Sequence, residues 1–81
     1  MKVLRFTASW CQPCKMLAKT LEDVETQIPI VVIDIDDNQD LAKSYNIRGV
    51  PTLVMLDDSD TEVKRFSGTK QKNELIDWMK V

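Results

Sequence analysis

The sequence contains no histidine, two cysteines and two glycines among 81 residues, and its longest apolar runs, Ile30 to Ile33 and Leu53 to Leu56, are four residues each. Without histidine, Cys–His catalysis, a Ser–His–Asp triad and histidine-ligated metals are excluded. Runs that short fall well below the roughly 20 apolar residues of a membrane-spanning helix. Two cysteines three positions apart close too small a loop to staple a secreted domain. The first residues, Met1 to Phe6, carry charge at Lys2 and Arg5 and lack an apolar stretch of signal length, so the expected location is cytoplasmic. With 43% apolar and 30% charged residues, the chain reads as one ordinary globular domain spanning residues 1–81.

The charge is unevenly spread. Residues 1–21 carry Lys2, Arg5, Lys15 and Lys19 with no acid, so all 13 acidic residues follow them. Both cysteines lie in that basic stretch, where a positive field favours thiolate over thiol. Four cations without interleaved aromatics, in a chain of net charge −2, do not make a nucleic-acid footprint.

Lys2 to Thr7 reads as a strand, with Arg5 as its discordant member. Leu17, Leu21, Val24 and Ile28 then fall on one stripe of a helix that Pro29 must end by Ile28. Ile30 to Ile35 is a β-branched run of the kind expected where both sheet faces are covered. Asp36, Asp37 and Asn38 offer turn and cap residues for a short helix through Leu41, Ala42 and Tyr45, with Asn46 at its left-handed exit. Thr52 to Leu56 is a third strand, and Thr61 to Phe66 an antiparallel edge strand presenting Val63 and Phe66. Gly68 and Thr69 open a last helix with Leu75, Ile76, Trp78 and Met79 facing the core. The resulting order, β-α-β-α-β-β-α, predicts a three-layer α/β/α sandwich on a four-stranded mixed sheet. Met16, Met55 and Met79 read as core gap-fillers, and the acidic turn around Asp34, Asp36, Asp37 and Asp40 as solvated rather than cation-binding.

The chemistry concentrates in Trp10-Cys11-Gln12-Pro13-Cys14-Lys15, at a strand-to-helix turn. Unpaired N–H groups and the positive end of the helix dipole favour an anion there, so Cys11 is expected to have a depressed pKa. Cys14, one turn further on the same face, can reach Cys11 at disulfide distance. Pro13 suits the first turn, where a missing N–H costs little. A purely structural disulfide would stabilise little across so small a loop, and a metal site would lack half its ligands.

This hexapeptide, together with Gly49-Val50-Pro51-Thr52 ahead of the third strand, resembles the thioredoxin family across essentially the whole chain. The chain looks like a minimal version, without the additional N-terminal strand and helix of longer members. The resemblance implies a thioredoxin fold and a protein-disulfide reductase whose redox-active disulfide, Cys11 with Cys14, needs no other cofactor. Cys11 corresponds to the attacking cysteine and Cys14 to the resolving one. Pro51 corresponds to the cis-proline beside the dithiol, and Val50 to the residue whose backbone pairs with an extended substrate. Trp10, Gly49 and Gly68 correspond to the rim of the substrate groove, with Gln12 and Pro13 between the cysteines. Finding the two glycines at that rim leads us to expect close backbone approach there. The implied partners are a thioredoxin reductase and disulfide-bearing proteins such as ribonucleotide reductase, met by a monomer.

Three positions depart from the family pattern. Gln12 replaces the usual glycine, and Lys19 stands where many members have a kinking proline, which predicts a straighter helix. Arg5 occupies the place of the buried aspartate that takes the resolving cysteine's proton, and Val32 that of its lysine partner. A guanidinium cannot serve as that base. Arg5 is read in two ways: beneath the cysteines, tuning their pKa values together with Lys15, or paired with Asp34. A glutaredoxin-like, glutathione-dependent reductase and a non-catalytic thioredoxin-fold binding module are the alternative functions. The absence of histidine between the cysteines separates the chain from strongly oxidising relatives that resemble Cys-x-His-Cys.

Overall fold

The computed structural model describes residues 1–80. Strands β1 (Lys2–Thr7), β2 (Ile30–Asp34), β3 (Thr52–Leu56) and β4 (Glu62–Ser67) alternate with helices α1 (Gln12–Glu22), α2 (Gln39–Ser44) and α3 (Lys72–Met79). The sheet order is β2-β1-β3-β4, with β1 parallel to β2 and antiparallel to β3, and β3 antiparallel to β4. Period-2 alternation in the two central strands divides the core. Val3, Leu53 and Met55 face Leu17 of α1 and Leu75 and Met79 of α3. Leu4, Phe6 and Val54 turn the other way, onto Ala42 of α2. Helices thus cover both faces, and the expected three-layer thioredoxin fold is the one observed.

Several local expectations are corrected. Strand β2 lies at the sheet edge with β1 as its one neighbour, which leaves Val31 and Val32 at 43% and 56% exposure rather than covered. Helix α1 ends at Glu22, short of Ile28; Val24 donates its N–H back to the Leu21 carbonyl at 3.0 Å and still buries its side chain from the following loop. Its helical path runs unbroken through Lys19. Val63 and Phe66 do not share a face. A register shift opposite Met55 and Leu56 pairs Lys64 with Met55 and Glu62 with Leu56, and leaves Val63 49% exposed while Phe66 packs inward. Met16, expected in the core, is 66% exposed, whereas Met55 and Met79 are buried. Trp78 is half-buried, edge-on to Phe66 with ring centroids 4.9 Å apart.

The caps follow local chemistry. Asn46 takes the left-handed conformation at φ 56° after α2. Asn38 stands at the α2 N-cap, yet its side chain donates to the Asp34 carbonyl at 2.9 Å instead of capping the helix. Helix α3 starts at Lys72, later than Gly68 and Thr69, and Glu74 accepts the Gln71 N–H at 3.2 Å. Gly68 has φ 91°, a conformation that L side chains rarely adopt. Within the chain nothing comes within 4 Å of a side chain built at either glycine, so conformation rather than crowding accounts for Gly68, and Gly49 borders open space.

Candidate functional site

The dithiol sits where β1 ends and α1 begins. Cys11 is the N-cap of α1, with extended backbone at φ −94° and ψ 107°, and its N–H donates to the Ala8 carbonyl at 3.1 Å. This arrangement places Cys11 Sγ over the open end of the helix, where it accepts the Cys14 N–H at 3.1 Å. Sulfur therefore occupies the position that a capping oxygen usually takes, and negative charge on it would be held by that amide and by the helix dipole. Cys11 and Cys14 form a disulfide, with Cα atoms 5.2 Å apart. Gln12 and Pro13 fill the first turn with exposed side chains.

Both cysteines are buried. Cys14 is 1% exposed and Cys11 4%, both packed with Ala8 against Ile35 and Val50. Cys11 is more enclosed than a turn position suggests, because the loop before β3 closes over it: its Sγ lies 3.6 Å from the Val50 carbonyl oxygen. The Val50–Pro51 peptide bond is cis. Thr52 anchors this loop, its hydroxyl donating to the Gly49 carbonyl at 2.7 Å and lying 3.0 Å from the Ser67 hydroxyl. The Gly68 N–H donates to the Pro51 carbonyl at 2.9 Å, so Gly68 borders the same loop. Trp10 is 65% exposed and donates its Nε1–H to Asp36 at 3.0 Å.

The structure thus gathers Trp10, Cys11, Cys14, Val50, Pro51 and Gly68 around one disulfide, with Gln12, Pro13 and Gly49 at its margins. Three contributors have roles that the sequence does not assign. Thr52 belongs to the Gly49-Val50-Pro51-Thr52 motif and to β3, and its hydroxyl, directly after Pro51 in an otherwise apolar strand, is the available signal for its anchoring role. Ile35 and Asp36 belong to the β2–α2 turn, and nothing local to them points to the cysteines.

Arg5 alternates with Leu4 and Phe6 and so points to the sheet face that carries Val3 and α1. It does not pair with Asp34, whose Oδ1 accepts the Asp36 N–H at 2.8 Å instead. Among the described residues the Arg5 guanidinium has no ion-pair partner. Burial lowers its pKa from the ordinary arginine value, the direction expected for a cation removed from water. Among the described residues no group of three or more Cys, Asp or Glu side chains is arranged to hold a metal ion. No helix there is long and apolar enough to cross a membrane.

Comparison with known proteins agrees with this geometry. The thioredoxin family model matches residues 1–81. The chain is 36% identical to a thioredoxin of Rickettsia bellii over 81 residues, covering 91% of this chain and 73% of that one. It is 43% identical over 75 residues to thioredoxin C-3 of Corynebacterium nephridii, covering 89% of this chain and 51% of the relative. Among solved structures, a thioredoxin from Halobacterium salinarum superposes with a TM-score of 0.86 at 38% identity, over 95% of this chain and 69% of that one. The chain belongs to the thioredoxin family, and its Cys11–Cys14 pair is that of a thiol–disulfide oxidoreductase.

Proposed function

We propose that this chain reduces protein disulfides, with Cys11 as nucleophile and Cys14 as resolving cysteine. The observation that carries the reading is the cap geometry: Cys11 Sγ sits at the open helix end accepting the Cys14 N–H at 3.1 Å. In the dithiol form, Cys11 thiolate attacks one sulfur of the substrate disulfide. That S–S bond breaks, a mixed disulfide forms, and the departing substrate thiolate takes up a proton. Cys14 then loses its proton and attacks Cys11 Sγ, which releases the second substrate thiol and leaves the Cys11–Cys14 disulfide. Two electrons pass from the dithiol to the substrate, and a reductase returns them.

Trp10, Gln12, Pro13, Gly49, Val50, Pro51 and Gly68 form the groove in which an extended substrate segment lies along the Val50 backbone. No cofactor beyond the disulfide is required. Family membership implies a thioredoxin reductase and disulfide-bearing substrates in general, and ribonucleotide reductase is a candidate substrate of that class. The protein acts as a cytoplasmic monomer in this reading.

Arg5 and Lys15 tune the site. Each is a cation, and Arg5 faces the α1 side of the sheet with no ion-pair partner among the described residues, so both favour thiolate over thiol. The cation lowers the thiol pKa, so its removal raises it. Rates of iodoacetamide alkylation, followed by mass spectrometry against pH on the reduced protein, test this together with the cysteine roles. Cys11 is expected to react first, with a midpoint below the ordinary value of about 8.5 for a free cysteine. Arg5→Met should move that midpoint upward. Preferential alkylation of Cys14 would contradict the assigned roles, and an unmoved midpoint would remove Arg5 from them.

A further inference from the structure

One flank of the dithiol carries a cleft that the redox chemistry does not use. It has a volume of about 520 Å³ and lies between α1 and the segment leading into α3, lined by Met16, Thr20, Thr69, Lys70 and Lys72 among others. Met16 is two residues beyond Cys14 on α1, and Thr69 follows the Gly68 that bonds to Pro51, so both walls of the cleft continue from segments that hold the disulfide. Its lining carries Lys70 and Lys72 against a single acid, Glu74. On α1, Lys19 borders an adjoining hollow that shares Met16 and Thr20 with the cleft and also holds Asp23, Lys15 stands one turn before it, and none of Lys15, Lys19, Lys70 and Lys72 has an ion-pair partner among the described residues. Glu74 accepts the Gln71 N–H at 3.2 Å and keeps its charge, so the two lysines leave the lining with a net positive charge of one. Lys70 holds its ammonium 4.8 Å from the centre of the Phe66 ring, which fixes one of these charges in place.

The opposite flank is acidic. There Asp36 binds Trp10, and Asp37 and Asp40 follow it, all exposed. Arg48, exposed before Gly49, puts a further cation on the Val50 side, so the acidic strip is confined to the neighbourhood of Trp10. A substrate approaching the disulfide therefore meets a polarised surface, although the chain as a whole is negative. Such fields orient an encounter and alter association rates more than they add affinity.

From this we infer that the α1–α3 cleft docks an acidic segment of the substrate protein beside the disulfide being reduced, with exposed Met16 as its apolar contact. The inference rests on the disulfide-reductase reading and adds the substrate class. Acidic side chains to one side of the scissile disulfide meet Lys19, Lys70 and Lys72. The same side chains on the other side would meet Asp36 and Asp37, so the surface also sets the direction in which a substrate lies.

The test uses the reduced full chain and three synthetic peptides that share one disulfide and carry aspartates, lysines or uncharged residues on one side of it. Stopped-flow rates of disulfide reduction are expected to favour the aspartate peptide over the lysine peptide by about tenfold at low ionic strength. That ratio should shrink toward one near 0.5 M salt, where the screening length is only about 4 Å. The double variant Lys70→Glu, Lys72→Glu should invert the ratio, and its circular dichroism melting curve shows whether it is folded. Should that variant fail to fold, Lys72→Gln and Lys19→Gln are expected to reduce the ratio stepwise. Equal rates for all three peptides, or a ratio that the charge changes leave untouched, would overturn the cleft assignment while leaving the reductase reading intact. Failure to reduce any of the three would overturn both.

Discussion

Changing Cys14 to Ser is expected to convert the protein from a catalyst into a trap. Cys11 can still attack a substrate disulfide, but no second thiol is present to release it, so the mixed disulfide persists. Multiple turnover should fall by at least about 10³-fold, the scale on which removal of a member of a chemical unit acts. The Cys11→Ser protein should lose turnover to the same extent and capture almost nothing. The asymmetry follows from the structure. Cys11 caps the helix, where the Cys14 N–H would hold its thiolate in the reduced form, while Cys14 lies within the first turn. Non-reducing gels and intact-mass spectra of each variant with an excess of a disulfide-bearing protein read the result. Equal capture by both variants would contradict the assigned order of attack.

The second large effect concerns stability. Phe6 lies on central strand β1 with no exposed surface, paired with Ile33 on one side and Thr52 on the other. It packs with Leu4 and Val54 against α2, and its ring lies 5.8 Å from that of Tyr45. Phe6→Ala removes that ring from a core too tightly packed to close over the gap, a change that costs about 3–5 kcal/mol. A small domain has about 5–15 kcal/mol in total, so most of its stability is lost. Because β1 runs directly into Trp10 and Cys11, the site frays with it. Val32→Ala is the control: at 56% exposure on edge strand β2 it should cost no more than about 0.5 kcal/mol. Urea unfolding followed by tryptophan fluorescence compares the two. A loss below about 1 kcal/mol for Phe6→Ala would show that the α2 face contributes much less than its burial implies.

The site was more legible in the sequence than the sheet. Trp10-Cys11-Gln12-Pro13-Cys14 is contiguous, and both the helix start and its chemistry are local consequences of residue type. The element order was equally legible, since runs such as Ile30 to Ile33 and Thr52 to Leu56 are set off by Pro29, Pro51 and the aspartates that follow them. Sheet position was not. Nothing within Ile30 to Asp34 says whether one strand or two will pair with it, so exposure of Val31 and Val32 emerges only from the order β2-β1-β3-β4. The apolar stripe of α1 continued past the helix for a related reason: Val24 and Ile28 reach the core from a loop, where burial does not require helical phase. Met16 shows the converse. Its side chain is apolar, but its place on α1 turns it away from Leu17 and toward the cleft.

Arg5 was legible as an anomaly and not as a placement. Its strand position set its face, yet the residues that would neutralise it belong to other elements, and Asp34, the partner that sequence offered, is occupied by its own turn. The proton released by Cys14 consequently has no carboxylate at the Arg5 position to receive it. In the proposed cycle that proton goes to the thiolate leaving the mixed disulfide or to solvent.

The most direct test of the central claim is a single-turnover count. The oxidised chain, reduced by NADPH through a thioredoxin reductase and freed of both, is mixed with an excess of a protein disulfide, and thiols are counted on each partner by mass spectrometry. The account predicts that each chain reduces one substrate disulfide and returns with Cys11 and Cys14 joined to each other. A chain that keeps both thiols while the substrate disulfide stays intact would contradict it.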